Sequence, residues 1–488
     1  AGAPGAPGAV RSDAADVPDR HRDLDRLLAD TWRTLPSAAA AAARRLTLLC
    51  GPFDLEAARA VGGLDTAGLV ELLDRAVVQR VGPDRYDVHA LVRRSAPRPE
   101  PDDLDAHARW VLGRAAALGR RLKREGHAAA IADLVALTDD ARAAWRHGVD
   151  RLAMGRAALL PLLDAALDPL DHAWHTAGRL GLAAHAFGDA VARARPPAAV
   201  PDDAVAPAWR RWWGRVLVRW SVAERMLGGP DAAGAALRRL ATSDDPDVAL
   251  EARLELAKVA HARGDLAGAE RAFRAWVADP AGRRRPDLAS AAHAGLAVIL
   301  WATAGDVGEA LAHDDAAVLE ARRDGDPDAL IVALINGGAG AFELGHDAEA
   351  DRCWREAAAH AERIGHRARE AAVWNNLGML EARRGHADAA RAAFGRSLAL
   401  RRAAADTSGQ ASVLLHLGQL EAELGEREAA AAHIETAVAA FDRPGQEESH
   451  AMALAAWSEL ASAQGDARRG AARAQAALAE ARAVGSVR

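Results

Sequence analysis

From residue 250 onward the apolar positions fall into a regular beat. Helix-closing glycines stand at Gly264, Gly305, Gly345, Gly385, Gly425 and Gly465, with spacings of 41, 40, 40, 40 and 40. Five positions after each comes a small residue: Ala269, Ala310, Ala350, Ala390, Ala430 and Gly470. Four further on the chain is aromatic at Phe273, Trp354 and Phe394 and apolar at Ile434, whereas Asp314 and Ala474 depart from the pattern. In the clearest copy, residues 372–400, Trp374, Leu377, Gly378 and Glu381 share a helical spacing on a first helix. Gly385 supplies the positive φ that ends that helix. Ala390 and Phe394 then put one small and one large residue on the inner face of a second helix. A lone hairpin cannot bury such a face, but a stack of hairpins can. These copies resemble the tetratricopeptide repeat, lengthened to about 40 residues.

Upstream the pattern is still helical over 102–245, but the period fades. Gly229, Gly234 and Leu237 suggest a degenerate extra repeat, and Pro196-Pro197, Pro201 and Pro207 mark a break. Trp209, Trp213 and Trp220 fall on one helical face with Trp212 nearby, as core filling, as a seal on the array's edge or as an aromatic pocket. Residues 17–95 read differently. Leu24, Leu27, Leu28, Trp32 and Leu35 predict an amphipathic helix ended by Pro36, and a second helix covers about 38–49, before Gly51-Pro52. Asp54 is placed to cap DLEAARAV. Gly62-Gly63 breaks the chain, LVELLDR is a third helix, and VVQRV, a GPD turn and RYDVH predict a β-hairpin. Helices followed by a hairpin make a winged helix.

The stretches PDRHRDLDRLLADTW, RRLTLLCGPFDLEAARAV and LVELLDRAVVQRVGPDRYDVHALVRR resemble the winged-helix segment of bacterial STAND signal-transduction ATPases, among them AfsR-like transcriptional regulators. DLDAHARWVLGRAA and LTDDARAAWRHGVD resemble the helical connector that follows in those proteins. The expected fold is mainly α: a flexible N-terminal tract at 1–16, a winged-helix domain at 17–95, a helical connector with degenerate repeats at 102–245, and a tetratricopeptide-like α-solenoid at 246–488. The resemblance implies a regulatory arm, and an NTPase domain upstream of Ala1 as its partner. It also implies that His89, in DVHAL, matches a histidine that touches bound ADP, with Val88 and Ala90 replacing the flanking Met and acid of the family motif. The competing reading of His89 is a structural residue closing the wing.

A P-loop needs GxxxxGK[ST], so that backbone amides, a lysine and a hydroxyl hold phosphates and Mg²⁺. The two lysines, Lys123 and Lys258, both lie outside any such context. ATP or ADP is therefore expected only through an upstream domain, with no cofactor in this chain. No HExxH, GxSxG or paired-carboxylate pattern stands out, so no enzyme activity is expected. Cys50 and Cys353 stand too far apart for a CxxC site, and His172, His175 and His185 lack a third well-placed ligand, so no metal is expected.

Net charge is −6 over 488 residues, with 50% hydrophobic and 27% charged positions. That fits a folded chain and argues against a nucleic-acid-coating surface. Acids outnumber Arg75 in LVELLDR, so direct DNA contact, through Arg80 and Arg85 on the wing, is the lesser alternative. No apolar run approaches the length that spans a bilayer, so a cytoplasmic location is expected. The dominance of arginine and alanine points to a GC-rich bacterial genome.

Binding is expected on the first helices, which line the groove of such arrays. Their groove side should include Lys258, His261, Ile335, Phe342, Asn375, Met379, Arg383, Leu415 and Gln419, a mixture suited to a protein, a peptide or a small effector. Asn336 and Asn376 occupy equivalent positions in successive repeats. GGAGA, residues 337–341, lies within a first helix, where it should permit close packing. Three functional readings follow: the sensor arm of a STAND-type regulator, a stand-alone tetratricopeptide adaptor, or a DNA-binding winged-helix regulator.

Overall fold

The computed structural model describes residues 31–122, 127–196, 205–227, 230–303, 306–404, 406–443 and 446–463, with 471–472, 474–476 and 479 beyond. The tract at 1–16, most of the first amphipathic helix, Pro197, Pro201, Gly229, Gly305, Gly465 and Gly470 lie outside the described residues. The fold is mainly α, with a two-stranded sheet. The chain divides into two compact units: residues 1–117, 134–170 and 193–195 in one, and 118–133, 171–192 and 196–488 in the other.

The first unit opens with α1 (Ser37–Leu46), α2 (Leu55–Ala57) continued by a π turn (Ala58–Gly62), and α3 (Thr66–Asp74). Asp54 and Asp65 cap α2 and α3 by accepting from Ala57 N–H and Gly68 N–H, each at 2.8 Å. Gly63 closes the π turn at φ 72°. α1 stops three residues short of the length expected from sequence. The carbonyls of Thr47 and Leu49 turn instead to the Arg93 guanidinium, whose other arm reaches Asp87 at 2.7 Å.

β1 (Val78–Gly82) pairs antiparallel with β2 (Arg85–Val88), Val78 opposite Val88 and Arg80 opposite Tyr86. Phe53 adds a bridge to Tyr86 and is 3% exposed; burying such a side chain contributes about 2 kcal/mol. α4 (Ala90–Arg94) follows, then α5 (Pro101–Leu122), α6 (His127–Ala136), α7 (Thr138–Ala153) and α8 (Leu160–Thr176), of which residues 118–122, 127–133 and 171–176 belong to the second unit. Asp103, 1% exposed, ties α1 to the start of α5: it accepts from Arg44 Nε at 2.6 Å, Arg45 Nε at 2.8 Å and Glu100 N–H at 2.9 Å. Burial alone would raise its pKa, but these donors outweigh it and hold the carboxyl below the ordinary range.

The second unit contains α9 (Leu180–Arg193, whose last residue belongs to the first unit), α10 (Val205–Met226) and α11 (Pro230–Leu240). α10 and α11 form a hairpin that packs on the next helix. Trp212 is fully buried and Trp209 nearly so, while Trp213 donates to Val191 O at 3.0 Å. The tryptophans of α10 are thus core, and the deepest is the one off the face expected from sequence.

The repeats run α12 (Pro246–Ala262) with α13 (Leu266–Ala278), α14 (Pro286–Ala302) with α15 (Val307–Asp324), α16 (Pro327–Glu343) with α17 (Asp347–Ile364), α18 (Arg367–Arg383) with α19 (Ala387–Ala403), and α20 (Thr407–Glu423) with α21 (Arg427–Phe441), then α22 (Glu447–Ala463). Asp245, Asp326 and Asp406 cap first helices, and Asp265 and Asp306 cap second ones. Gly264, Gly345, Gly385 and Gly425 all sit at φ 72–80°, the left-handed region each hairpin turn requires.

Close packing within a hairpin depends on a missing Cβ. On Gly378 a Cβ would stand 2.5 Å from the Phe394 ring, and on Gly338 it would stand 2.4 Å from Trp354 Nε1. First helices of neighbouring repeats pack on one another, and among the described residues no comparable packing joins successive second helices. The array is therefore tight on its first-helix side and splayed between its second helices.

Candidate functional site

The first-helix face carries three clusters of polar side chains. At its start, Glu251 and Glu255 on α12 are 5% and 2% exposed. Such burial is tolerable only with partners. Glu255 has Arg225 at 2.5 Å and Lys258 Nζ at 3.8 Å; Glu251 has Arg219 and Arg285, each at 3.2 Å. The chain of charges continues from Arg219 to Asp171 and His175, and from Arg285 to Asp287. Loss of water pulls the Lys258 ammonium below its usual range, and Glu255 offsets part of that. The Lys258 side chain as a whole keeps 36% of its exposure. His261, one turn on, is exposed.

In the middle of the array Phe342 and Arg383, separated by 41 positions, are brought together. The Arg383 guanidinium carbon lies 3.5 Å from the Phe342 ring centroid, and its arms bond Phe342 O and the Asp347 carboxylate. Phe342 also packs at 5.6 Å against Trp354. Farther along, Asn375 is 7% exposed and its amide is spent internally, on His416 Nδ1 at 3.0 Å and Met379 Sδ at 3.9 Å. Burial pushes His416 down to about 4, so at neutral pH its Nδ1–H donates to Asn375 Oδ1.

The sequence reading placed Asn375 and Leu415 on the open groove, and the structure buries both. The cause is register: Asn375 points along the seam between α18 and α20 instead of out of it. Asn336, Asn376 and Met379 are half-buried, and Gln419 is exposed. The two asparagines at equivalent positions are not joined by any hydrogen bond among the described residues.

In the first unit His89 caps α4. Its Nδ1 accepts from Leu91 N–H at 3.3 Å, which leaves the ring proton on Nε2 in the neutral form. On the hairpin, Arg80 Nε is turned back to Gly82 O and Arg85 Nη2 to Pro52 O.

One grouping was invisible in sequence. His127, His172 and His366 converge within the second unit, with ring centroids 5.4 Å and 6.1 Å from His127, and Asp328 lies 3.4 Å from His366. Burial lowers His172 and His366. No period links residues so far apart, and only the stacking of repeats brings them together. Among the described residues, no group of His, Cys, Asp or Glu side chains has a geometry that could hold a metal ion. Nor is any helix there long and apolar enough to cross a membrane.

No family model and no curated protein matches the sequence. Solved structures do share its fold. A STAND protein with a tetratricopeptide repeat sensor from Pyrococcus horikoshii aligns over 93% of this chain at 13% identity, with a TM-score of 0.53. The chain spans 65% of that protein's length. A Rap protein complexed with competence and sporulation factor aligns over 73% of this chain and 99% of its own, at 13% identity and a TM-score of 0.49. The apo form of the quorum sensor NprR from B. thuringiensis covers 56% of this chain and 87% of its own, at 10% identity and a TM-score of 0.39. At these identities the likeness is one of fold: this chain is a mainly α protein with a tetratricopeptide-like helical repeat region.

Proposed function

We propose that this chain is the non-catalytic sensor arm of a STAND-type regulator, binding a protein, peptide or small effector on its first-helix face. The observation that carries the reading is the likeness to the STAND protein, which extends over 93% of the chain and so takes in the part before the repeats. Helices followed by a hairpin, with His89 holding its ring proton on Nε2 at the hairpin's end, support a winged-helix role beside a nucleotide site. The first-helix face supports binding, because along its length it carries the partly exposed Lys258, an arginine-covered aromatic ring at Phe342 and the exposed Gln419. For the arm to act as a sensor, its ligand must favour one state of the switch by about 1–3 kcal/mol. A role in transcription belongs to the same proposal and rests on the resemblance to AfsR-like regulators.

The test uses the native reading frame around this chain. An NTPase domain is expected upstream of Ala1, and removal of residues 246–488 should change its basal ATP turnover by at least about fivefold, the lower end of such couplings. Residues 1–488 alone should show no ATP binding by calorimetry at micromolar concentration. A reading frame without an NTPase would overturn the proposal in favour of a stand-alone adaptor. Salt-sensitive duplex binding lost on reversing the charge of Arg80 and Arg85 would favour a DNA-binding regulator instead.

A further inference from the structure

We propose that the gap between second helices α15 and α17, floored by α16, binds a small protonated amine carried on a compact apolar group, with Asp314 as its counter-charge. The argument starts from the broken repeat. Where the other hairpins place Phe273, Trp354, Phe394 or Ile434, each buried, this one places Asp314. A large side chain is therefore missing, and a cavity of about 250 Å³ stands beside the position. Its wall is apolar over Leu311, Val318, Leu334, Gly337 and Ala341, with Asp314 set among them, and its rim carries two ionic pairs' worth of charge in Asp315, Glu349, Arg322 and Arg352. The volume falls just below the usual range for ligand pockets, about 300–1,000 Å³, which limits the occupant to a compact molecule.

Asp314 is 4% exposed and accepts from Trp301 Nε1 at 3.0 Å. A carboxylate can accept about four hydrogen bonds. A buried one without a cation is costly, and none pairs with Asp314 among the described residues. The nearby guanidiniums are already engaged: Arg322 with Glu356 at 2.6 Å, and Arg352 with Glu349 and Glu356. Burial, with Asp315 adding to it, pushes the Asp314 carboxyl up to about 6 despite the Trp301 bond. An ammonium group would supply the absent charge, and its apolar carrier would fill the space left by the missing aromatic ring. A neutral ligand would fill the space but leave the carboxylate unpaired. An anion would meet it as a like charge. The inference does not depend on an NTPase preceding this chain.

Benzylamine, benzyl alcohol and benzoate serve as probes of one shape and three charges, titrated into the full chain at pH 7.5 with saturation-transfer NMR as the readout. Benzylamine is expected to bind at least about tenfold more tightly than the other two. Asp314→Asn should remove that preference while leaving the circular dichroism unchanged. Asp314→Leu, which restores an apolar residue, should fold and bind none of the three. Equal binding of amine and alcohol, an unchanged preference in Asp314→Asn, or no binding of benzylamine at 10 mM (on the order of a very weak fragment) would each overturn the assignment.

Discussion

His416 Nδ1 lies 3.0 Å from Asn375 Oδ1, a hydrogen bond between two first helices of adjacent repeats. Loss of water around the imidazole, with Arg401 adding to it, holds His416 down to about 4 and so keeps the ring neutral. In the unfolded chain a histidine titrates near 6.5. Above about pH 6.5 both states are neutral and the contribution is whole. As the pH falls from about 6.5 towards 4, the unfolded chain takes up a proton that the folded one refuses, and stability drains away, by roughly 3 kcal/mol at the limit. Asp314 tilts the other way, because its raised carboxyl gains stability as the pH falls below about 6. Thermal melts at pH 7.5, 6.5, 5.5 and 4.5 should therefore show a flatter acid limb in His416→Gln than in the parent. A parallel pair of curves would refute the assignment of this histidine.

Two glycines one repeat-helix apart should respond oppositely to alanine. Gly378→Ala drives a Cβ to within 2.5 Å of the Phe394 ring, so it should destabilise by about 1–3 kcal/mol through forced repacking. Gly395 is an exposed position within α19, with no atom within 4 Å of a Cβ placed there. Gly395→Ala should stabilise by about 0.5–1 kcal/mol, the helix-propensity difference. Urea titrations of the two variants decide this, and the same sign for both would be the contrary result.

Asp103 is the strongest polar anchor of the first unit. Removing its carboxylate leaves Arg45 without this partner and Arg44 with only the exposed Glu100 carboxylate at 2.9 Å, and deprives Glu100 N–H of its acceptor. Asp103→Ala is expected to cost about 3–5 kcal/mol. Hydrogen exchange resolved along the chain should show lost protection across 37–46 and 101–117, with the repeats from 246 unaffected. Uniform loss of protection throughout would contradict this.

Arg383 should behave differently. Its contact with Phe342 is partly exposed, so Arg383→Ala should change stability by less than about 1 kcal/mol. A partner bound on the first-helix face should nonetheless lose affinity by tenfold or more. A stability loss larger than about 2 kcal/mol would make Arg383 a structural residue, outside the usual range for exposed pairs.

The hairpins, their order and their turns could be read from the chain, because each depends on local chemistry. A positive φ demands glycine at Gly345, Gly385 and Gly425, a cap demands Asp54, and the small–large pair Ala390 and Phe394 fits one helical face. The hairpin of Val78–Val88 was equally legible, through its turn and alternation. The fate of individual polar side chains was not. The spacing puts Asn375 on the groove side, but the structure sets it in the seam between α18 and α20, opposite His416. The end of α1 depended on Arg93, 47 positions beyond Leu46, claiming the carbonyls that would have continued it. Asp314 looked like a lapse in the period, and its meaning came from what stands next to it: Trp301, Gly340 and an unfilled space. Local periodicity specifies which face of a helix is apolar. Which polar atom meets which is decided by the distances between helices, and those are set by packing summed over the whole array.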